Sequence, residues 1–165
     1  MARSKEIKKH EKELALRNFR FNRFLFIRYA LAFSVIANLY WLFMNLFTQV
    51  SSIILPGAMV VLGGMAAFEY LRIYWTHQNT LKFSKIYFQT QIVVNVLLFF
   101  ATFNETVFSY LYPFLGVSNE AILLVYIILG VGLVVAGISL FKVLRIAKNK
   151  DKKYQYIQRY EKYTS

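Results

Sequence analysis

Glu69 is the acidic residue that falls inside an apolar run, in GGMAAFEYLR, and a carboxylate so placed can hold a cation or carry a proton. Arg72 follows three positions later, about 4.5 Å further along a helix and on the same face, so the two are expected to pair. Two sets of uncharged polar residues also recur at helical spacing. Ser34, Asn38, Trp41, Asn45 and Thr48 are separated by four, three, four and three positions, which puts them on one helical face. Ser84, Gln91, Asn95 and Thr102 follow a seven-residue period in a stretch that also carries Gln89. Amides removed from water must find partners, so the two stripes are expected to face each other or a shared interior. They would serve either as hydrogen bonds that fix register or as a polar path lined by Asn38, Asn45, Gln91, Asn95 and Glu69.

Other chemistry has few residues to draw on. The absence of Cys excludes disulfides and thiolate sites. His10 and His77 stand outside the apolar runs and away from any carboxylate cluster, and the sole Asp, Asp151, lies in a basic run. Metal-dependent transfer to lipid-linked phosphates needs several carboxylates at a membrane face. A non-enzymatic protein with no metal and no cofactor is the expectation.

The elements that must position these residues are visible in the charge pattern. The chain has 165 residues, 58% of them hydrophobic, with a formal charge of +12, yet Lys and Arg are missing from 29–71 and from 86–141. About 20 apolar residues suffice to cross a bilayer as a helix, and 29–47, 53–71, 86–103 and 121–141 qualify. Nine of the 20 Lys and Arg precede the first stretch, three separate the second from the third, and eight follow the fourth. The other two connections have none. By the positive-inside rule both termini and the middle connection are cytoplasmic. The expected fold class is therefore all-α, an integral membrane bundle of four transmembrane helices. Residues 1–28 form a basic juxtamembrane helix, 29–144 the transmembrane domain, and 145–165 a basic amphipathic tail with Tyr156, Ile157, Tyr160 and Tyr163 on one face. The N-terminus lacks the short apolar core and cleavage site of a signal peptide.

In RNFRFNRFLFIRYA, residues 17–30, arginines alternate with phenylalanines. Nucleic acid would suit that mixture, but its place at a membrane edge favours membrane lipids of the anionic inner leaflet, with Arg17, Arg20, Arg23 and Arg28 reaching phosphates while the rings settle in the interface. Gly63 with Ala67, and Gly132 with Ala136, form small-xxx-small pairs that point to close helix packing or to a seam with a membrane-protein partner or second copy. In the uncharged middle of NETVFSYLYPFLGVSNE, Phe108, Tyr110, Tyr112 and Phe114 are expected to lie flat in the headgroup layer.

The run RNFRFNRFLFIRYA, with NLYWLFMNL after it, resembles small uncharacterised four-span membrane proteins of Gram-positive bacteria, some labelled as a cellobiose phosphotransferase subunit. A phosphocarrier would imply a charged helical domain presenting a phosphorylatable His. This chain has four apolar stretches and only His10 and His77, so no site is carried over. The expected function is that of a non-enzymatic accessory or interaction protein of a bacterial cell membrane. The alternative is a small oligomeric transporter or channel with its path between the first and third spans.

Overall fold

The computed structural model describes the backbone of residues 2–48, 51–76, 81–156 and 158. The helices follow one another as α1 (Ala2–Phe47), α2 (Ile54–Thr76), α3 (Lys82–Ala101), α4 (Glu105–Leu111) and α5 (Asn119–Ala147), and residues 152–156 are helical again after α5. A 3-10 turn, Ser51–Ile53, leads into α2. No strand occurs among the described residues. Four of the helices are long and apolar enough to cross a membrane, and α4 is the short exception.

Helix boundaries follow local chemistry. Pro56 is buried in the first turn of α2, where its missing N–H has no helical acceptor to lose. Asn104 begins α4 by accepting hydrogen bonds through Oδ1 from the N–H groups of Thr106 (2.9 Å) and Val107 (3.4 Å). Ser118 begins α5 by accepting from Ala121 N–H at 3.2 Å. At the far end of α5, Asn149 adopts a left-handed φ of 52°. Lys150 N–H then returns to Arg145 O and Asn149 N–H to Ile146 O, both at 3.0 Å, which closes the helix with a Schellman turn.

α1 is a single helix of 46 residues, about 69 Å long, more than twice the hydrocarbon thickness. Its apolar part begins near Asn22, so roughly 20 residues continue past the span as a helical arm.

Around the bundle α1 packs against α2 and α5, and α3 packs against the same two helices, leaving α1 and α3 diagonally opposed. The surface is apolar, with Tyr29, Ile36, Phe47, Ile54, Phe68, Leu97 and Leu123 all exposed, while Ser34, Asn38, Asn45, Ser84, Gln91, Asn95, Thr102 and Ser139 are buried. That inversion of a soluble protein's pattern suits a bundle whose solvent is lipid. The Lys- and Arg-bearing segments gather at one end, where α1 meets the end of α5 and the end of α2 meets the start of α3. The two connections without Lys or Arg lie at the other.

A polar core between two tied ends

The two stripes meet across the diagonal. Asn38 Nδ2 of α1 donates to Gln91 Oε1 of α3 at 3.0 Å, and Gln91 Nε2 donates to Asn95 Oδ1 at 2.8 Å. Asn38 Nδ2 also reaches Ser34 O at 2.8 Å and the Tyr87 hydroxyl at 3.5 Å. Asn38, Gln91 and Asn95 are all buried, so each bond replaces water that the interior does not supply. The four-three spacing on α1 and the i, i+4 step from Gln91 to Asn95 are what align them. An amide does not release a proton in the accessible pH range, so this chain of amides does not itself ionise.

Gly132 and Ala136 sit where α5 meets α3. A Cβ on Gly132 would lie 2.5 Å from Asn95 Nδ2, so the glycine makes room for the last amide of the chain. Gly63 does the same for the α1–α2 contact, since a Cβ there would collide with the Val35 side chain. Its partner on the packed face is Ala66. Ala67 is exposed and does not pair with Gly63 in packing within the chain, because the buried face of α2 runs Met59, Gly63, Ala66, Tyr70 at spacings of four, three and four.

At the uncharged end the long connection folds inward instead of lying flat. Phe108 and Tyr112 are buried, Phe114 is half-buried, and Tyr110 alone of the four faces out. Trp41 of α1 donates from Nε1 to Leu111 O at 3.0 Å and stacks on Tyr112 with ring centroids 5.4 Å apart. Burial pushes the Tyr112 phenol above its ordinary pKa, keeping it neutral under α4. Asn45, fully buried, donates to Ser52 Oγ at 3.1 Å and ties α1 to the turn before α2. Thr48 and Thr102 bond back to carbonyls of their own helices and join no shared site.

At the charged end Glu69 does something other than the expected pairing along its own helix. Its carboxylate accepts from Phe83 N–H (3.1 Å), Ser84 N–H (3.0 Å) and the Ser84 hydroxyl (2.9 Å), all on α3. Leu81, at the N-cap of α3, has no side-chain acceptor to offer, so Glu69 supplies the cap from the neighbouring helix. Its negative charge also faces the positive end of the α3 dipole. Arg72 is exposed on α2.

Arg23 departs from the lipid-edge expectation. It is buried, donating from Nε to Asp151 Oδ2 at 2.9 Å, from a terminal nitrogen to Asn149 Oδ1 at 3.0 Å and to Ile146 O at 3.2 Å, and forming an ion pair with Asp151. Tyr154 covers its guanidinium at 4.9 Å. Asp151 at the same time caps the next helical turn by accepting from Tyr154 N–H at 3.1 Å. Lys153 Nζ donates to Asn22 O at 2.6 Å. The basic run is thus a clasp between α1 and the end of α5. Arg28 is half-buried with its guanidinium 5.8 Å from the centre of the Tyr70 ring. The side chains of Arg17 and Arg20 lie outside the described residues, as do Ile157, Tyr160 and Tyr163 of the tail; Tyr156 is exposed.

The clasp had a signal in the sequence. The α1 stripe of Ser34, Asn38, Trp41 and Asn45 extends backward through Ala30, Ile27 and Arg23, eleven residues or about three turns before Ser34, which marks Arg23 as inward-facing. Among the described residues, no three of His, Cys, Asp and Glu converge as metal ligands. No family model, curated protein or solved structure matches the chain.

Proposed function

We propose that the protein is a non-enzymatic accessory protein of a bacterial cytoplasmic membrane, with both termini and the α2–α3 connection on the cytoplasmic side. The amide chain carries this reading. Asn38 Nδ2, both polar atoms of Gln91 and Asn95 Oδ1 are engaged in series at the centre of the bundle, which favours bonds that fix register over groups held open for a substrate. The arm of α1 would carry the basic N-terminal segment about 30 Å beyond the span, within reach of a membrane-protein partner or second copy. No nucleic acid is invoked, since basic ends follow from topology alone.

Two measurements test the reading. The full chain in proteoliposomes should move no ions or small solutes above the protein-free background, while crosslinking in the native membrane should capture a membrane protein or another copy. Flux that Asn38→Leu abolishes would install the transporter instead. Single Cys probes at Ser4, Thr80 and Ser165 should resist an impermeant external reagent and probes at Ser51 and Ser118 should react; labelling of Thr80 in intact cells would reverse the orientation.

A further inference from the structure

Gln91 and Asn95 turn into the bundle, but Gln89 is exposed on the outer face of α3 and meets no hydrogen-bond partner among the described residues. An amide facing hydrocarbon needs a partner from its surroundings. Lys82 and Lys85, both exposed, precede it by seven and four residues. At 3.6 residues per turn the three fall within about 60° of arc, with Gln89 about 6 Å deeper than Lys85 and about 10 Å deeper than Lys82. The same stripe continues through Val93, Val96 and Phe100, all exposed. Read from the end of the bundle inward, the face presents two cations, then one amide, then only hydrocarbon. A diacyl phospholipid has that order of polarity: an anionic headgroup, ester carbonyls one step below, then acyl chains. Glu69, the acid bonded to the first turn of α3, has its carboxylate engaged by the Phe83 and Ser84 N–H groups.

We propose that the Lys82–Lys85–Gln89 stripe binds one anionic diacyl phospholipid of the surrounding leaflet. The two ammonium groups hold the phosphate and the Gln89 amide donates to an ester carbonyl. The site depends on the membrane placement of α3 and not on the accessory role.

The test is a native mass spectrometry titration of the full chain in neutral detergent. The probes are dioleoyl phosphatidylglycerol, dioleoyl phosphatidylcholine and a dialkyl ether phosphatidylglycerol that lacks ester carbonyls. The diester phosphatidylglycerol should bind best. Lys82→Ala and Lys85→Ala should each weaken both phosphatidylglycerols about five-fold. Gln89→Leu should weaken the diester lipid about three-fold and leave the ether lipid unchanged. These side chains face outward, so thermal unfolding of the variants should match the parent and separate lost binding from lost folding. Equal affinity for phosphatidylcholine, or an equal effect of Gln89→Leu on the ester and ether lipids, would overturn the proposal. So would a Gln89→Leu protein that binds lipid normally but loses self-association, since a second copy would then occupy the stripe.

Discussion

Replacing Glu69 isolates what holds the start of α3. The carboxylate takes three donors from one turn, at 2.9 to 3.1 Å, and one of them is the hydroxyl of fully buried Ser84. Glu69→Ala removes an N-cap, worth about 1 kcal/mol, and takes the carboxylate acceptor from the Ser84 hydroxyl, which also lies within reach of the Tyr70 hydroxyl, at about 1–3 kcal/mol. Phe83 N–H is exposed and can turn to water, so it adds little. The expected loss is about 3 kcal/mol. Glu69→Gln keeps one oxygen acceptor but gives up the charge facing the helix dipole, for a loss of about 1 kcal/mol. Unfolding by SDS in mixed micelles, followed by tryptophan fluorescence, gives both values. A double-mutant cycle then names the partner: coupling of Glu69→Ala with Ser84→Ala should reach about 1 kcal/mol, against about 0.3 kcal/mol with Arg72→Ala. Coupling to Arg72 as large as that to Ser84 would refute the cross-helix cap and restore pairing along α2.

Asp151→Ala leaves the Arg23 guanidinium buried without its carboxylate and should cost about 3–5 kcal/mol; adding Arg23→Leu should return part of that stability, and a double variant weaker than the single one would show that Arg23 does not depend on Asp151. Asn38→Leu should cost about 0.6–1.7 kcal/mol in the same SDS titration, and Gln91→Leu on top of it should cost less than it does alone, because one bond cannot be lost twice. Gly132→Ala should cost about 1–3 kcal/mol by forcing Asn95 aside, whereas Gly137→Ala, with nothing within 4 Å of the added carbon, should stay within about 0.5 kcal/mol of the parent.

The features legible in the sequence are those set within a helix or by its immediate composition. The four apolar stretches and the gathering of Lys and Arg at one end follow from burial in lipid. The meeting of Asn38 with Gln91 was legible because each lies on a stripe whose period is helical. Phase was harder to read than composition. Arg23 has the same neighbours in type as Arg17 and Arg20 in the sequence, and only its alignment with Ile27 and Ser34 marks it as inward-facing. Ala66 and Ala67 are adjacent and alike, and the choice between them depends on carrying the Met59–Gly63–Tyr70 face through the helix. The partners of Glu69 and Arg23 were beyond local pattern altogether. One lies on the next helix and the other 128 residues away, and both are fixed by which helix ends meet.

Between helices in a bilayer the hydrophobic effect does not choose a register, because lipid tails are as apolar as leucine. Directional bonds and close contacts at small residues have to choose it. Here the helix pairs are held by different devices: Arg23 with Asp151 for α1 and the end of α5, Gly63 beside Val35 for α1 and α2, Glu69 with Ser84 for α2 and α3, Asn38 with Gln91 across the α1–α3 diagonal, and Gly132 beneath Asn95 for α3 and α5. Asn45 with Ser52 and Trp41 with Leu111 fasten the opposite end. Rotating α1 by one residue would swing Arg23, Asn38, Trp41 and Asn45 together by about 100°, losing four ties at three depths and exposing a buried cation to lipid. Alternating access needs two arrangements of similar energy, and a span tied near both of its ends and in its middle favours one of them. In the proposed accessory role the same ties would let α1 hold its basic arm at a fixed angle to the membrane for docking.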